Sequence, residues 1–238
     1  IGTGGRDRSE LDPDRMAELA QRAAARTRPV VLSDVSAKTK ILDSKTYLAA
    51  GMAIFFLFFT VQFGVSSLIE ERTNGTLRRL LALPIRPSAI LLSKLLTSLV
   101  AGVSSMGVLI AATTLLMGAS FGATLGVALL VLTAVLAATG VTAAVASLAR
   151  TAEQASSWQS IVATVLGLLG GTFFPVGQIT GLSLAVLVTP HAWFLRGLAA
   201  LADGGGPRDV LPASGALLAF ALVTGSIGFL RLRKVVMP

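Results

Sequence analysis

The sequence predicts an all-α fold, a polytopic membrane helix bundle, and three observations carry that prediction. Of 238 residues, 53% are hydrophobic and 13% charged, whereas soluble domains carry about 25% charged residues. The apolar residues are bunched into five runs near the 20 or so that a bilayer core requires. No Asp, Glu, Lys, Arg or His interrupts any of the five.

The elements follow in order. Residues 1–46 are polar, with nine Lys or Arg against seven Asp or Glu. Asp12 and Pro13 read as the N-cap and first residue of a helix to about Thr27, with Met16, Leu19, Ala20 and Ala23 on one thin apolar face. Pro29 stops it, and Val30 to Val35 reads as a short strand. This α/β segment is too small for a core of its own, so it reads as the C-terminal part of a soluble domain begun upstream. The chain opens on Ile1 with no cleavable-signal pattern, which is expected of a piece of a longer protein. Residues 47–238 form the transmembrane domain. Its runs, at about Tyr47 to Ile69, Leu95 to Met117, Thr124 to Leu148, Trp158 to Val176 and Val210 to Leu230, are each about long enough to cross some 30 Å of hydrocarbon as a helix.

Basic residues set the expected orientation. Arg72, Arg78, Arg79, Arg86 and Lys94 follow the first run, Arg150 follows the third, and Arg231, Arg233 and Lys234 follow the fifth. These nine lie on one side, expected to be cytoplasmic. The other side has only Arg196 and Arg208 in the connections between runs. Residues 1–46 then fall outside. Their own nine basic residues are accommodated if a span lies upstream, because long translocated segments escape the charge rule. The expected full-length protein has six spans, both ends in the cytoplasm, and lies in the plasma membrane.

The net charge of +8 is consistent with these flanks and does not indicate nucleic acid, since no basic tract is interleaved with aromatics. Cysteine is absent, which excludes disulfides, thiolate metal sites and cysteine nucleophiles. His191, the only histidine, stands near Pro190, Trp193 and Phe194 and reads as part of an interfacial aromatic belt. Leu182 to Leu201 reads as a re-entrant or surface helix interrupted by Pro190 and Arg196. Gly118, Gly122 and Gly126, and Gly167 with Gly171, repeat every four residues, a spacing that serves close helix packing. Asn74-Gly75-Thr76 fits a glycosylation acceptor but falls on the expected cytoplasmic side.

Spans without ionisable groups argue against an ion-coupled carrier and an intramembrane enzyme, both of which place charged chemistry inside the bundle. The driving force is then expected from outside the bilayer. An ATP-independent channel or carrier and a membrane scaffold are the competing classes.

The most distinctive stretch joins the first two runs: Glu70-Glu71-Arg72-Thr73-Asn74-Gly75-Thr76-Leu77-Arg78-Arg79-Leu80-Leu81-Ala82-Leu83-Pro84. Leu77, Leu80 and Leu81 follow helical spacing, with Arg78 and Arg79 on the other face, which predicts a helix lying along the membrane surface. Gly75 supplies a sharp turn, and Pro84 and Pro87 are expected to break the helix before the next span.

Here the chain resembles the permeases of ABC-type exporters of the type-2 superfamily, which serve polysaccharide, drug, lipid and ion export. Glu71, Arg72, Gly75, Thr76, Leu77, Leu81, Pro84 and Lys94 match that family's acidic-basic pair, Gly-Thr-Leu step, Leu-rich turn, Pro and following Lys in order. Gly170-Gly171-Thr172-Phe173-Phe174-Pro175 looks like its Gly-x-Phe-Phe-Pro segment at the outer end of the fifth of six spans. Arg150 with Glu153-Gln154-Ala155 resembles the preceding loop. The resemblance implies that residues 70–94 are a coupling segment, with Glu70, Glu71, Arg72, Arg78 and Arg79 facing a separate ATPase. It further implies an outer gate at Gly170, Gly171, Phe173, Phe174 and Pro175, with the pathway between two permeases. No Gly-x-x-x-x-Gly-Lys-Ser/Thr phosphate loop occurs in the chain, so ATP and Mg are expected on a partner ATPase dimer and no cofactor on this chain. A second permease copy or paralogue and the lipid membrane complete the expected partners. The matching permeases begin with a cytoplasmic amphipathic helix and a first span, which this sequence lacks.

Overall fold

Long uninterrupted apolar runs can satisfy their backbone hydrogen bonds in lipid only as helices or closed barrels, and the chain takes the helical solution. The computed structural model describes residues 42–84, 86–174 and 186–236, all within a compact unit spanning residues 40–238. These residues form seven helices and no strand: α1 (Ser44–Thr73), α2 (Thr76–Leu81), α3 (Pro87–Met117), α4 (Thr124–Ala146), α5 (Ala152–Leu169), α6 (Pro190–Ala202) and α7 (Leu211–Val236). The predicted helix from Asp12 and the strand at Val30 to Val35 lie outside the described residues.

Four helices, α1, α3, α4 and α7, are long and apolar enough to cross a membrane. The prediction counted five. The fourth run is not among them because α5 begins at Ala152, ahead of Trp158, so its first turns carry Glu153, Gln154, Ser156 and Ser157 and lower the apolarity of the helix. The second run begins earlier than expected, at Pro87, which occupies the first helical position. There the missing N–H would have no intrahelical partner in any case, so Pro87 starts a helix where the sequence reading had it break one.

α4 is the central helix. Its buried positions are mainly Ala, Val, Thr and Gly, small enough for neighbouring backbones to approach closely. A Cβ on Gly140 would lie 2.8 Å from Thr224 Oγ1 and 3.0 Å from the Ala221 carbonyl, and one on Gly228 would lie 2.8 Å from the Ala143 carbonyl carbon. Such contact matters in a bilayer, where lipid is as apolar as leucine and helices associate through van der Waals packing. Thr133 and Thr142 are buried on this helix and donate their hydroxyls to the Leu129 and Ala138 carbonyls, which satisfies them without a partner helix. α3 packs on α1 through Gly64 and Gly102, and its far end stays exposed, with Leu115 and Leu116 above 80%, as a lipid-facing surface requires.

α6 has Pro190 in its first turn, and Thr189 caps it by accepting from Ala192 N at 3.3 Å. Pro190 does interrupt the Leu182 to Leu201 stretch, since residues 187–189 form a turn and the helix starts after it, whereas Arg196 does not: it lies outside the packed face, 5.7 Å over the Trp193 ring. The helix is buried on most of its surface, so it is part of the bundle. His191 is fully buried and stacked on Phe58 of α1 at 4.4 Å between ring centroids, which corrects the interfacial placement read from its aromatic neighbours. The Gly118-Gly122-Gly126 repeat divides between two uses. Gly118 and Gly122 adopt left-handed turn conformations between α3 and α4, and Gly126 packs on Leu201 of α6.

Candidate functional site

The helix ends carrying the nine basic residues meet at one end of the bundle, around a core of Leu68, Ile69, Leu77, Ile90, Leu91, Ala146, Ala155 and Leu232. The segment between α1 and α3 is built onto this core. α1 ends at Thr73, whose hydroxyl donates to the Glu70 carbonyl at 2.9 Å, and Asn74 N donates to that same carbonyl. Gly75 then adopts φ 75°. Among the described residues nothing stands within 4 Å of where its Cβ would be, so its requirement is conformational, a left-handed turn that L side chains resist. Thr76 donates its hydroxyl back to the Glu71 carbonyl at 3.1 Å, closing the hairpin.

α2 is a short amphipathic turn. Leu77 inserts into the core at 3% exposure, Leu80 and Leu81 are half-buried, and Arg78, Arg79 and Pro84 are exposed. Leu77 therefore seats the segment while the guanidinium groups face away. Glu70 and Arg72 are exposed as well. Glu71 differs, because its Oε1 accepts from Lys94 Nζ at 2.5 Å, tying the end of α1 to the second turn of α3. Glu71 Oε2 is buried with no hydrogen-bond partner among the described residues. The structure thus brings Glu71, Lys94, Gly75, Thr76 and Leu77 together and leaves Glu70, Arg72, Arg78 and Arg79 as an exposed charged rim.

At the opposite end, α5 runs out through Gly170 and Gly171 into Thr172, Phe173 and Phe174. Pro175 lies outside the described residues. Tyr47 Oη of α1 donates to the Gly171 carbonyl. A Cβ on Gly51 would stand 2.0 Å from the Thr172 carbonyl oxygen, and one on Gly167 would stand 2.6 Å from the Phe55 ring. Phe173 packs edge-on against Phe55 at 5.0 Å, and Phe174 is 73% exposed. Gly170 abuts Thr189 and His191. Among the described residues neither ring nitrogen of His191 finds a hydrogen-bond partner.

Sequence reading missed Tyr47, Gly51 and Phe55 as partners of the Gly-Gly-Thr-Phe-Phe stretch. Their spacing of four was visible, but one helix's spacing does not identify the helix it meets. It also did not identify Gln159, whose side chain bonds across to α1 and α4.

A family model described as "ABC-2 family transporter protein" matches residues 9–230. The linearmycin resistance permease protein LnrN of Bacillus subtilis (strain 168) is 28% identical over 187 residues, covering 78% of this chain and 49% of that protein. The chain therefore spans about half the length of this curated relative. No solved structure matches it. With four apolar helices of spanning length and a match over nearly its whole length, the chain is a multi-pass membrane protein that belongs to the ABC-2 family of transporter proteins.

Proposed function

We propose that the chain is the permease of an ATP-driven exporter and that residues 70–94 receive the movement of a separate ATPase subunit that binds ATP and Mg. One observation carries this reading: the segment is seated by Leu77 of α2 yet presents Glu70 and Arg72 of α1 and Arg78 and Arg79 of α2 to the exterior, while Glu71 and Lys94 tie the end of α1 to α3. A force applied to this rim reaches α1 and α3 directly. In this reading the α2 end is cytoplasmic, the C-terminus with it, and residues 1–46 are extracytoplasmic. α5 serves as a fifth span, lengthened by Gly170 to Phe174, in a full-length protein of six spans.

The working assembly is two permease copies, or one with a paralogue, on an ATPase dimer in the plasma membrane, with the pathway between the permeases. Phe173, Phe174 and Pro175 close its outer end. The relative's resistance label supports a toxic compound as cargo. The test is ATP hydrolysis by the reconstituted permease and ATPase complex carrying Glu71→Ala or Arg72→Ala. Loss of permease-stimulated hydrolysis is expected, and wild-type stimulation would remove the coupling role.

A further inference from the structure

Gln159 is an expensive residue to place within an apolar helix, and it is 1% exposed. Its Oε1 accepts from Ser66 Oγ of α1 at 2.8 Å, and its Nε2 donates to the Thr142 carbonyl of α4 at 3.0 Å. Ser66 stands one helical turn before Glu70, so the hydrogen bond lies directly above the segment assigned to coupling. Gln159 also belongs to a row spaced by four along α5, with Ala155, Ala163 and Gly167, all buried, and the buried Gly171 follows in the turn beyond the helix end. Apart from Gln159 the row offers no side chain larger than a methyl group. Phe55 and Gly51 close onto the row's outer half, where the Tyr47 bond to Gly171 forms a second tie. The two ties on α1 are 19 residues, or about 28 Å, apart.

We infer that Gln159 is the inner fastening of a stiff antiparallel α1–α5 pair, which carries displacement of the α2 segment to Phe173 and Phe174. Two ties at this separation hold both the sliding and the relative tilt of the helices. The close-packed row between them has no long side chain to absorb strain, so movement at Glu70 to Arg72 appears at the outer end of α5. Gln159 acts through α1 and α5 and is a positioning residue. The inference rests on the coupling reading proposed above, and a contiguous chain of packed and hydrogen-bonded groups is its physical basis.

Residues 1–238 have no cysteine, so with any cysteine elsewhere in the permease and the ATPase replaced by serine, Phe174→Cys provides a unique reporter at an exposed position. In the reconstituted permease and ATPase complex, its maleimide labelling rate is measured with and without ATP, beside ATP hydrolysis. The expected result is an ATP-dependent rate change with Gln159 present and a ratio near one with Gln159→Leu, while hydrolysis continues. Gln159→Glu should recover most of the change. Burial keeps that carboxyl protonated, so its O–H donates to Thr142 O and its carbonyl accepts from Ser66. If Gln159→Leu fails to fold, Ser66→Ala removes the α1 bond alone and is expected to reduce the change.

An ATP-dependent ratio unaltered in folded Gln159→Leu, or in Ser66→Ala where the leucine variant does not fold, overturns the inference, since a purely structural glutamine would lower only thermal stability. In the same assay, Glu71→Ala reports on the parent reading. Wild-type stimulation there ends both proposals, whereas lost stimulation with a normal Gln159→Leu ratio ends this one alone.

Discussion

Replacing Gly51 by alanine tests the α1–α5 contact most severely. The new methyl carbon would stand 2.0 Å from the Thr172 carbonyl oxygen, 2.9 Å from its carbonyl carbon and 3.3 Å from its Cα. All three are backbone atoms, so no rotamer change relieves the clash and the outer end of α5 must move by more than 1 Å or so. Overpacking of this kind costs about 1–3 kcal/mol. The same movement pulls the Gly171 carbonyl from Tyr47, a loss of about 1 kcal/mol. Alanine's greater helix propensity returns up to about 1 kcal/mol, leaving a net destabilisation of about 1–3 kcal/mol. At roughly 2–4 °C per kcal/mol for a chain of this size, the thermal midpoint in detergent should fall by about 2–12 °C, followed through Trp158 and Trp193. Gly107→Ala is the control. It has nothing within 4 Å and sits inside α3, so the same substitution should leave the midpoint unchanged or raise it. A Gly51→Ala protein as stable as the wild type would refute the close approach of α1 to Thr172.

Thr151 accepts from Gln154 N at 3.1 Å, and Gln154 Oε1 accepts from Arg150 N at 2.8 Å. Thr151→Ala should therefore cost about 1 kcal/mol, seen as faster hydrogen exchange confined to the first turn of α5. Gly75→Val should cost about 1–2 kcal/mol at its left-handed φ, whereas Gly75→Asn should be better tolerated; equal midpoints for the two would contradict the turn conformation.

Apolar run length was the most legible feature, because a membrane-crossing helix must keep polar side chains out of about 30 Å of hydrocarbon. Tyr47 to Ile69 and Thr124 to Leu148 fall close to α1 and α4 for that reason. Boundaries outside the apolar zone were less legible: α3 extends back to Pro87 and α5 to Ala152 through residues that hydropathy counts as flank. Gly75 was readable as a turn from its local neighbours, as was the amphipathic stripe of Leu77, Leu80 and Leu81. Pairings between distant segments were not. That Glu71 meets Lys94, that Ser66 meets Gln159 and that His191 stacks under Phe58 depend on how helices are arranged, which one helix's periodicity does not encode. His191 shows the consequence, since its aromatic neighbours in sequence pointed to an interface while the packing of α6 against α1 removes it from solvent.

The account depends on the α2 segment lying inside the cell. Arg79 is exposed and residues 1–238 contain no cysteine, so Arg79→Cys, in a full-length protein with any cysteine outside these residues replaced by serine, gives a single thiol for a membrane-impermeant maleimide. Labelling in inside-out vesicles and none in intact cells is the predicted result. Labelling in intact cells would place α2 on the outer face, where no ATPase could reach it.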